Sequence, residues 1–174
     1  LMVSMREYAY FFYCLYIFAT FFLQFIMDGG AHAYLYPADD PDLGERMGLT
    51  RISIGVIIFA LALFARDFLH LAERSPRQNK VILVAAALGV AVIVISPWFP
   101  YATVFGWVIA GSMAAAVVIL TIGTLSLFEG YGPARFFMAA FGCFLVGALG
   151  TMGGLIGILE SNFWVRHGFQ IGSA

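Results

Sequence analysis

Residues 101–128 read YATVFGWVIAGSMAAAVVILTIGTLSLF, and no charged side chain interrupts them. A helix needs about 20 apolar residues to cross the hydrocarbon core of a bilayer, which is about 30 Å thick. This stretch is therefore predicted to be a transmembrane helix. Four further apolar segments occur, at residues 8–27, 49–68, 81–96 and 136–159.

The five segments predict an all-α fold, a polytopic membrane helix bundle with five transmembrane helices. Ser161 and Asn162 are good helix-capping residues, so residues 162–174 are predicted to begin a sixth helix. No internal repeat or separate soluble segment is evident, and residues 1–174 are interpreted as a single transmembrane domain. The first residue is Leu1 rather than Met, which favours a fragment of a longer protein.

The composition agrees with a chain surrounded by lipid. Hydrophobic residues make up 62% of the chain and charged residues only 11%, whereas soluble domains carry roughly 25% charged residues. The lipid bilayer is thus the expected partner. No basic stripe suited to neutralising phosphates is present, which argues against nucleic-acid binding.

Lys and Arg are distributed unevenly between the two sides that five crossings would create. Six of the nine fall on the side where the chain starts: Arg6, Arg66, Arg74, Arg77, Lys80 and Arg135. Because short cytoplasmic loops are enriched in Lys and Arg, this side is predicted to be cytoplasmic and residues 28–50 to lie outside. Arg51 and Arg66, at the two ends of the second segment, are expected to snorkel to the interfaces.

Few residues suggest chemistry. The ionisable groups of the apolar segments fall at helix ends, which disfavours an ion-coupled transporter. No nucleophile, base and orienting group can be assembled, and no glycine-rich phosphate loop occurs, so we expect neither enzymatic activity nor a cofactor in this chain. His32 and His167 could bind a metal with the acidic residues Asp39, Asp40 and Asp42, but a solvated acidic loop is the favoured interpretation.

Small residues recur at helical spacing in the last two segments. Gly150 with Gly154, and Gly153 with Gly157, are four residues apart, so each pair lines one helix face and would let another helix approach closely. Gly106, Ala110 and Ala114 form a similar row on the fourth segment, residues 101–128. The partner helix could belong to the same chain, which we favour, or to a second chain in a homodimer or larger membrane complex.

Four short motifs resemble one family, the bacterial receptors with seven-transmembrane diverse intracellular signalling modules (7TMR-DISM). Residues 30–37 (GAHAYLYP) are similar to the family's Gly-x-Ala followed by Tyr-Leu-Trp-Pro, with Tyr36 in place of the usual Trp. Residues 64–69 (FARDFL) resemble its helix exit, and residues 131–137 (YGPARFF) its Pro-Ala-Arg-Tyr-Phe loop. The Asn-Phe of residues 162–163, followed by residues 170–174 (QIGSA), resembles the mouth of its final span.

The resemblance implies a sensor and relay. In such a receptor this chain would supply spans two to six of seven, and would couple an extracytoplasmic signal to a fused or associated cytoplasmic effector such as a diguanylate cyclase or histidine kinase. The chain would then lie in the bacterial inner membrane with its start in the cytoplasm. The alternative is a non-catalytic structural or assembly subunit of a larger membrane complex.

A relay needs a place where a signal is received. The spans offer no polar pocket, so the outer face is the expected ligand region, with Tyr34, Tyr36, Arg166 and His167 as its residues. These side chains supply aromatic surface and positive charge beside the acidic residues 39–42. An alternative role for Tyr34 and Tyr36 is to anchor the loop at the lipid headgroups.

Overall fold

The structure is a computed structural model that describes residues 2–34, 48–99 and 101–155. The described residues are helical almost throughout. The α-helices are α1 (Met2–Met27), α2 (Gly30–Tyr34), α3 (Leu49–Phe68), α4 (Leu71–Arg74), α5 (Pro76–Ile95), α6 (Tyr101–Phe128) and α7 (Gly132–Leu155), with a 3₁₀ turn at Ser96–Trp98. The predicted all-α polytopic membrane fold is confirmed.

Four helical stretches are long and apolar enough to cross a membrane: Tyr8–Met27, Leu49–Phe68, Pro76–Ile95 and Gly106–Phe128. The first two coincide with predicted segments. The third helix begins at Pro76, whereas the predicted span began at residue 81. Pro76 starts the helix because its fixed φ suits the first turn and its missing N–H is not needed there, so charged residues extend the helix beyond its apolar part.

The predicted fifth span, 136–159, is helical in α7 as far as Leu155. Residues 156–159 and the predicted partial helix 162–174 lie outside the described residues. The chain divides into two compact units, Leu1–Ile122 and Gly123–Ala174, with the boundary inside α6. The interpretation of residues 1–174 as one transmembrane domain stays a prediction.

In the first unit, α3 packs against both α1 and α5. Of the α3 span 44% is buried, against 22% in the spans of α1 and α5, as expected for the central helix of three. The α1 face buries Tyr16, Ala19, Thr20 and Leu23, a spacing of three and four residues that lines one side of a helix. Aromatic pairs join the two helices: Phe12 with Phe59, and Tyr13 with Phe64.

In the second unit, the end of α6 turns sharply into α7. Gly130 has a φ of 79°, the left-handed region that glycine adopts without penalty. The N–H groups of Gly130 and Tyr131 donate to the carbonyl oxygens of Leu127 and Ser126, at 3.0 and 3.2 Å. These two bonds satisfy carbonyls that the end of a helix would otherwise leave unpaired.

Candidate functional site

The most developed polar and close-packed features lie along the contact between α3 and α5, which we call the α3–α5 pair. The two helices are antiparallel, so the start of α3 and the end of α5 share one side of the membrane. We name this the Arg51 end. The other side, where α3 ends and α5 starts, is the Arg66 end.

At the Arg51 end, a charged side chain is buried. Arg51 is 1% exposed, and its Nη1 donates a hydrogen bond of 2.9 Å to the carbonyl oxygen of Phe99, which follows α5 and its 3₁₀ turn. The guanidinium also lies over Gly48, where a Cβ would be 2.9 Å from Nη2. Within the protein, the Arg51 side chain is thus held by a carbonyl of the neighbouring helix connection, and its predicted snorkelling to the interface stays a prediction.

The electrostatics of this contact are favourable. Arg51 belongs to the first turn of α3, where the positive end of the helix dipole disfavours a cation. Its charge is directed instead towards the end of α5, where carbonyl groups point outwards and favour a cation. A hydrogen bond from a charged donor contributes about 1.5–3 kcal/mol, so Arg51 fastens the start of α3 to the end of α5.

One turn further into the membrane, the backbones of α3 and α5 touch. A Cβ placed on Gly55 would lie 2.8 Å from the carbonyl oxygen of Gly89 and from Cγ1 of Ile93. A Cβ placed on Gly89 would lie 2.7 Å from the backbone nitrogen of Phe59. Neither position has room for a side chain. Gly55 and Gly89 thus allow the backbones of the α3–α5 pair to come into direct contact.

The Arg66 end is held by side chains. Arg66 donates from Nε to the Oδ1 of Asn79 at 2.7 Å, which joins the last turn of α3 to the first turn of α5. Arg66 also pairs with Asp67, with 3.1 Å between Nη1 and Oδ1. The side chain of Arg66 is 30% exposed, so its ion pair with Asp67 is worth at most about 1 kcal/mol.

The connection between α3 and α5 is short and ordered. His70 has a φ of 51°, left-handed for a residue with a side chain, which costs of order 1–2 kcal/mol. Its neighbours Leu69 and Leu71 are almost completely buried. Burial of two leucine side chains contributes about 1.5–3 kcal/mol each and outweighs the strain.

Of the four residues of the predicted ligand region, Tyr34 lies within the described residues. Tyr34 ends α2, is 81% exposed, and stacks its ring on Phe25 of α1 with 6.4 Å between ring centroids. Gly30, at the start of α2, lies directly against the ring of Phe25. Tyr36, Arg166 and His167 lie outside the described residues, so their grouping with Tyr34 stays a prediction.

The predicted glycine contacts lie on α6 and α7. Gly150, Gly153 and Gly154 lie in α7, and Gly157 lies outside the described residues, so their predicted packing stays a prediction. The row of Gly106, Ala110 and Ala114 on α6 is exposed. Among the described residues, α6 buries a different face, which contains Val108, Ala115 and Ile119, and the packing of the Gly106 row stays a prediction.

Only part of the predicted metal site lies within the described residues. In residues 2–34, 48–99 and 101–155, no three His, Cys, Asp or Glu side chains come together in a way that could hold a metal ion. His167 and the acidic residues 39–42 lie outside these ranges. Cys14 and Cys143 are both free and exposed.

The fold is that of a membrane module, with long apolar helices and with polar contacts at the ends of the α3–α5 pair. A family model described as 7TM diverse intracellular signalling matches residues 1–174. The chain belongs to the 7TMR-DISM family. The resemblance seen in the four motifs is thereby confirmed. The 7TMR-DISM match covers the whole chain, so the chain is a membrane signalling module rather than a catalytic domain. Comparison with curated proteins and with solved structures gave no match.

Three residues of the α3–α5 pair in this 7TMR-DISM module have contacts that were not predicted from the sequence. Gly55 and Gly89 are each the sole glycine of their helix, and each lies in its apolar part. An isolated glycine inside a helix costs about 1 kcal/mol relative to alanine, which signals a packing reason. Asn79 lies among charged residues at the start of α5, and nothing in the local sequence distinguishes it.

Proposed function

We propose that this chain is the membrane relay of a receptor, and that it couples an event at its outer face to a cytoplasmic signalling domain. The observation that carries the proposal is the family match over residues 1–174, because the family description names intracellular signalling. The signalling domain would be fused to this module or associated with it.

The charge placement within the described spans supports a relay over a transporter. Arg51 lies in the first turn of α3, and Arg66 and Asp67 lie in its last turn. Ion and substrate pathways place ionisable groups near the bilayer midplane. A relay has no such requirement, since it needs only two alternative packings of its helices that a signal can bias.

The orientation rests on the distribution of positive charge. Arg74, Arg77 and Lys80 belong to the Arg66 end, and we propose that this end faces the cytoplasm of a bacterial inner membrane. The test is a single Ser75→Cys substitution in a background without Cys14 and Cys143. We expect no reaction with a membrane-impermeant thiol reagent in intact cells and full reaction after lysis. Labelling in intact cells would show that the Arg66 end faces outwards, opposite to the proposed topology.

The outer ligand region would then lie at the Arg51 end, on the same side of the membrane as the connection from α1 to α3. Its proposed residues are Tyr34, Tyr36, Arg166 and His167. Tyr34 supports this assignment because its exposed ring is held in place by Phe25 and is available to a ligand.

The test measures effector output from the full receptor in cells, across a panel of growth conditions. Tyr34→Ala and Arg166→Ala should each reduce the signal-dependent output, since both remove proposed ligand contacts. Tyr10→Ala is the matched control, because Tyr10 is exposed near the opposite end of α1. If both test variants fold well and respond normally, the outer ligand region is wrong. If no variant or condition alters effector output, the assembly-subunit alternative replaces the relay.

A further inference from the structure

The α3–α5 pair is held at three depths of the membrane. The Arg51 bond to the Phe99 carbonyl and the Arg66 bond to Asn79 lie at opposite ends. Along α3 the two arginines are about 22 Å apart at 1.5 Å per residue. Between them, Gly55 and Gly89 bring the backbones into contact.

The glycine contact fixes the register. Gly55 and Gly89 are the sole glycines of their helices, so a slide of one helix along the other separates them. A slide of one turn, about 5.4 Å, would bring residues with a Cβ to the contact, where a Cβ has backbone atoms of the other helix less than 3.0 Å away. Arginine side chains could follow such a slide, but the backbones would have to move apart.

Interdigitated helices tend to switch between discrete arrangements and do not deform continuously. With one glycine on each helix, the close arrangement exists in a single register. We infer that α3 and α5 move as one rigid body in the relay, and that a piston-like slide between them is not how the signal crosses the membrane. This inference rests on the proposed relay function, and it places the relative movement between this body and other helices.

Disulfide trapping tests the register without a known ligand, because even a minor arrangement is captured as it is sampled. One turn along α3 from Phe59 is Ala62, and one turn back along α5 from Gly89 is Ala85, and both are buried. The pair Ala62→Cys/Ala85→Cys is therefore in register. It should form a disulfide rapidly with copper phenanthroline in membranes containing the full receptor, in a background without Cys14 and Cys143.

Two further pairs report slides of a turn or more in either direction: Ala62→Cys/Gln78→Cys and Ile58→Cys/Ile93→Cys. We expect no disulfide from either pair over the time that completes the in-register reaction. Labelling of every cysteine by a maleimide after unfolding in SDS is the control that all thiols are present. Disulfide formation in either off-register pair overturns the inference, and so does failure of the in-register pair.

The second arm measures effector output in the receptor locked by the Ala62→Cys/Ala85→Cys disulfide, before and after reduction. A rigid body predicts the same output in both states. A change of more than about fivefold, the lower end of allosteric coupling, would show that α3 and α5 move relative to each other in signalling. The trapping arm uses no output, so its result stands even if the relay proposal fails.

Discussion

Replacement of Gly89 by alanine is the most direct test of the α3–α5 contact. The new Cβ would lie 2.7 Å from the backbone nitrogen of Phe59 and 2.8 Å from the carbonyl oxygen of Gly55. Ordinary van der Waals contact begins at 3.4 Å. Both neighbours are backbone atoms on a packed helix, so relief requires the helices to separate.

The magnitude follows from two opposing effects. Overpacking of a well-packed site costs about 1–3 kcal/mol, and we expect the upper end because no side chain can rotate away. Alanine in place of glycine favours the helix by about 1 kcal/mol. Gly89→Ala should therefore lower the free energy of unfolding by about 2 kcal/mol.

Two other glycines serve as matched controls. A Cβ on Gly106 would meet no atom within 4 Å, so Gly106→Ala should leave stability unchanged or raise it by up to about 1 kcal/mol. A Cβ on Gly123 would lie 2.6 Å from Sδ of Met138. Because that flexible thioether can move aside, Gly123→Ala should cost less than Gly89→Ala.

The assay is reversible unfolding in mixed micelles, with the SDS fraction raised stepwise and helix content followed by circular dichroism. The expected order of stability is Gly106→Ala highest, Gly123→Ala intermediate and Gly89→Ala lowest. Equal midpoints for Gly89→Ala and Gly106→Ala would refute the close backbone contact between α3 and α5.

Three further predictions use the same unfolding assay. Arg51→Gln removes the hydrogen bond to the carbonyl beyond α5 and should cost about 1.5–3 kcal/mol; a cost below the error of the assay would contradict this role. Asn79→Leu should cost about 1 kcal/mol because Arg66 loses its acceptor on α5, whereas Asn79→Asp keeps an acceptor there and should be at least as stable as the original; equal effects of the two would count against the bond. Gly150→Leu and Gly154→Leu should each lower the unfolding midpoint if α7 makes the tight helix contact predicted from its sequence, and unchanged midpoints for both would place these glycines against lipid.

Much of the fold could be predicted because lipid imposes a simple rule on the sequence. The bounds of α3 were predicted as 49–68 and observed as Leu49–Phe68, since charged residues flank one apolar run. The start of α5 was missed for a related reason. Hydropathy marks where a helix enters the hydrocarbon, whereas Pro76 marks where the helix itself begins.

The contacts between helices were harder to predict than the helices. Two glycines four residues apart predict a helix contact when both lie on one helix, but Gly55 and Gly89 come from two different helices. Their partnership depends on which helices are neighbours, and a single sequence does not encode that directly. Arg51 is a similar case, because its acceptor, the carbonyl oxygen of Phe99, lies 48 residues further along the chain.

The polar ends of the α3–α5 pair also bear on how the chain enters the membrane during synthesis. Alone in lipid, α3 would present Arg51 and Arg66 with part of their hydrogen-bonding capacity unmet, and charged residues raise the free energy of insertion. Residues of α5 and of the turn after it accept from both arginines. We expect α3 to leave the translocon as a hairpin with α5, held together by the short connection around His70, so that the second helix of the hairpin completes the insertion of the first.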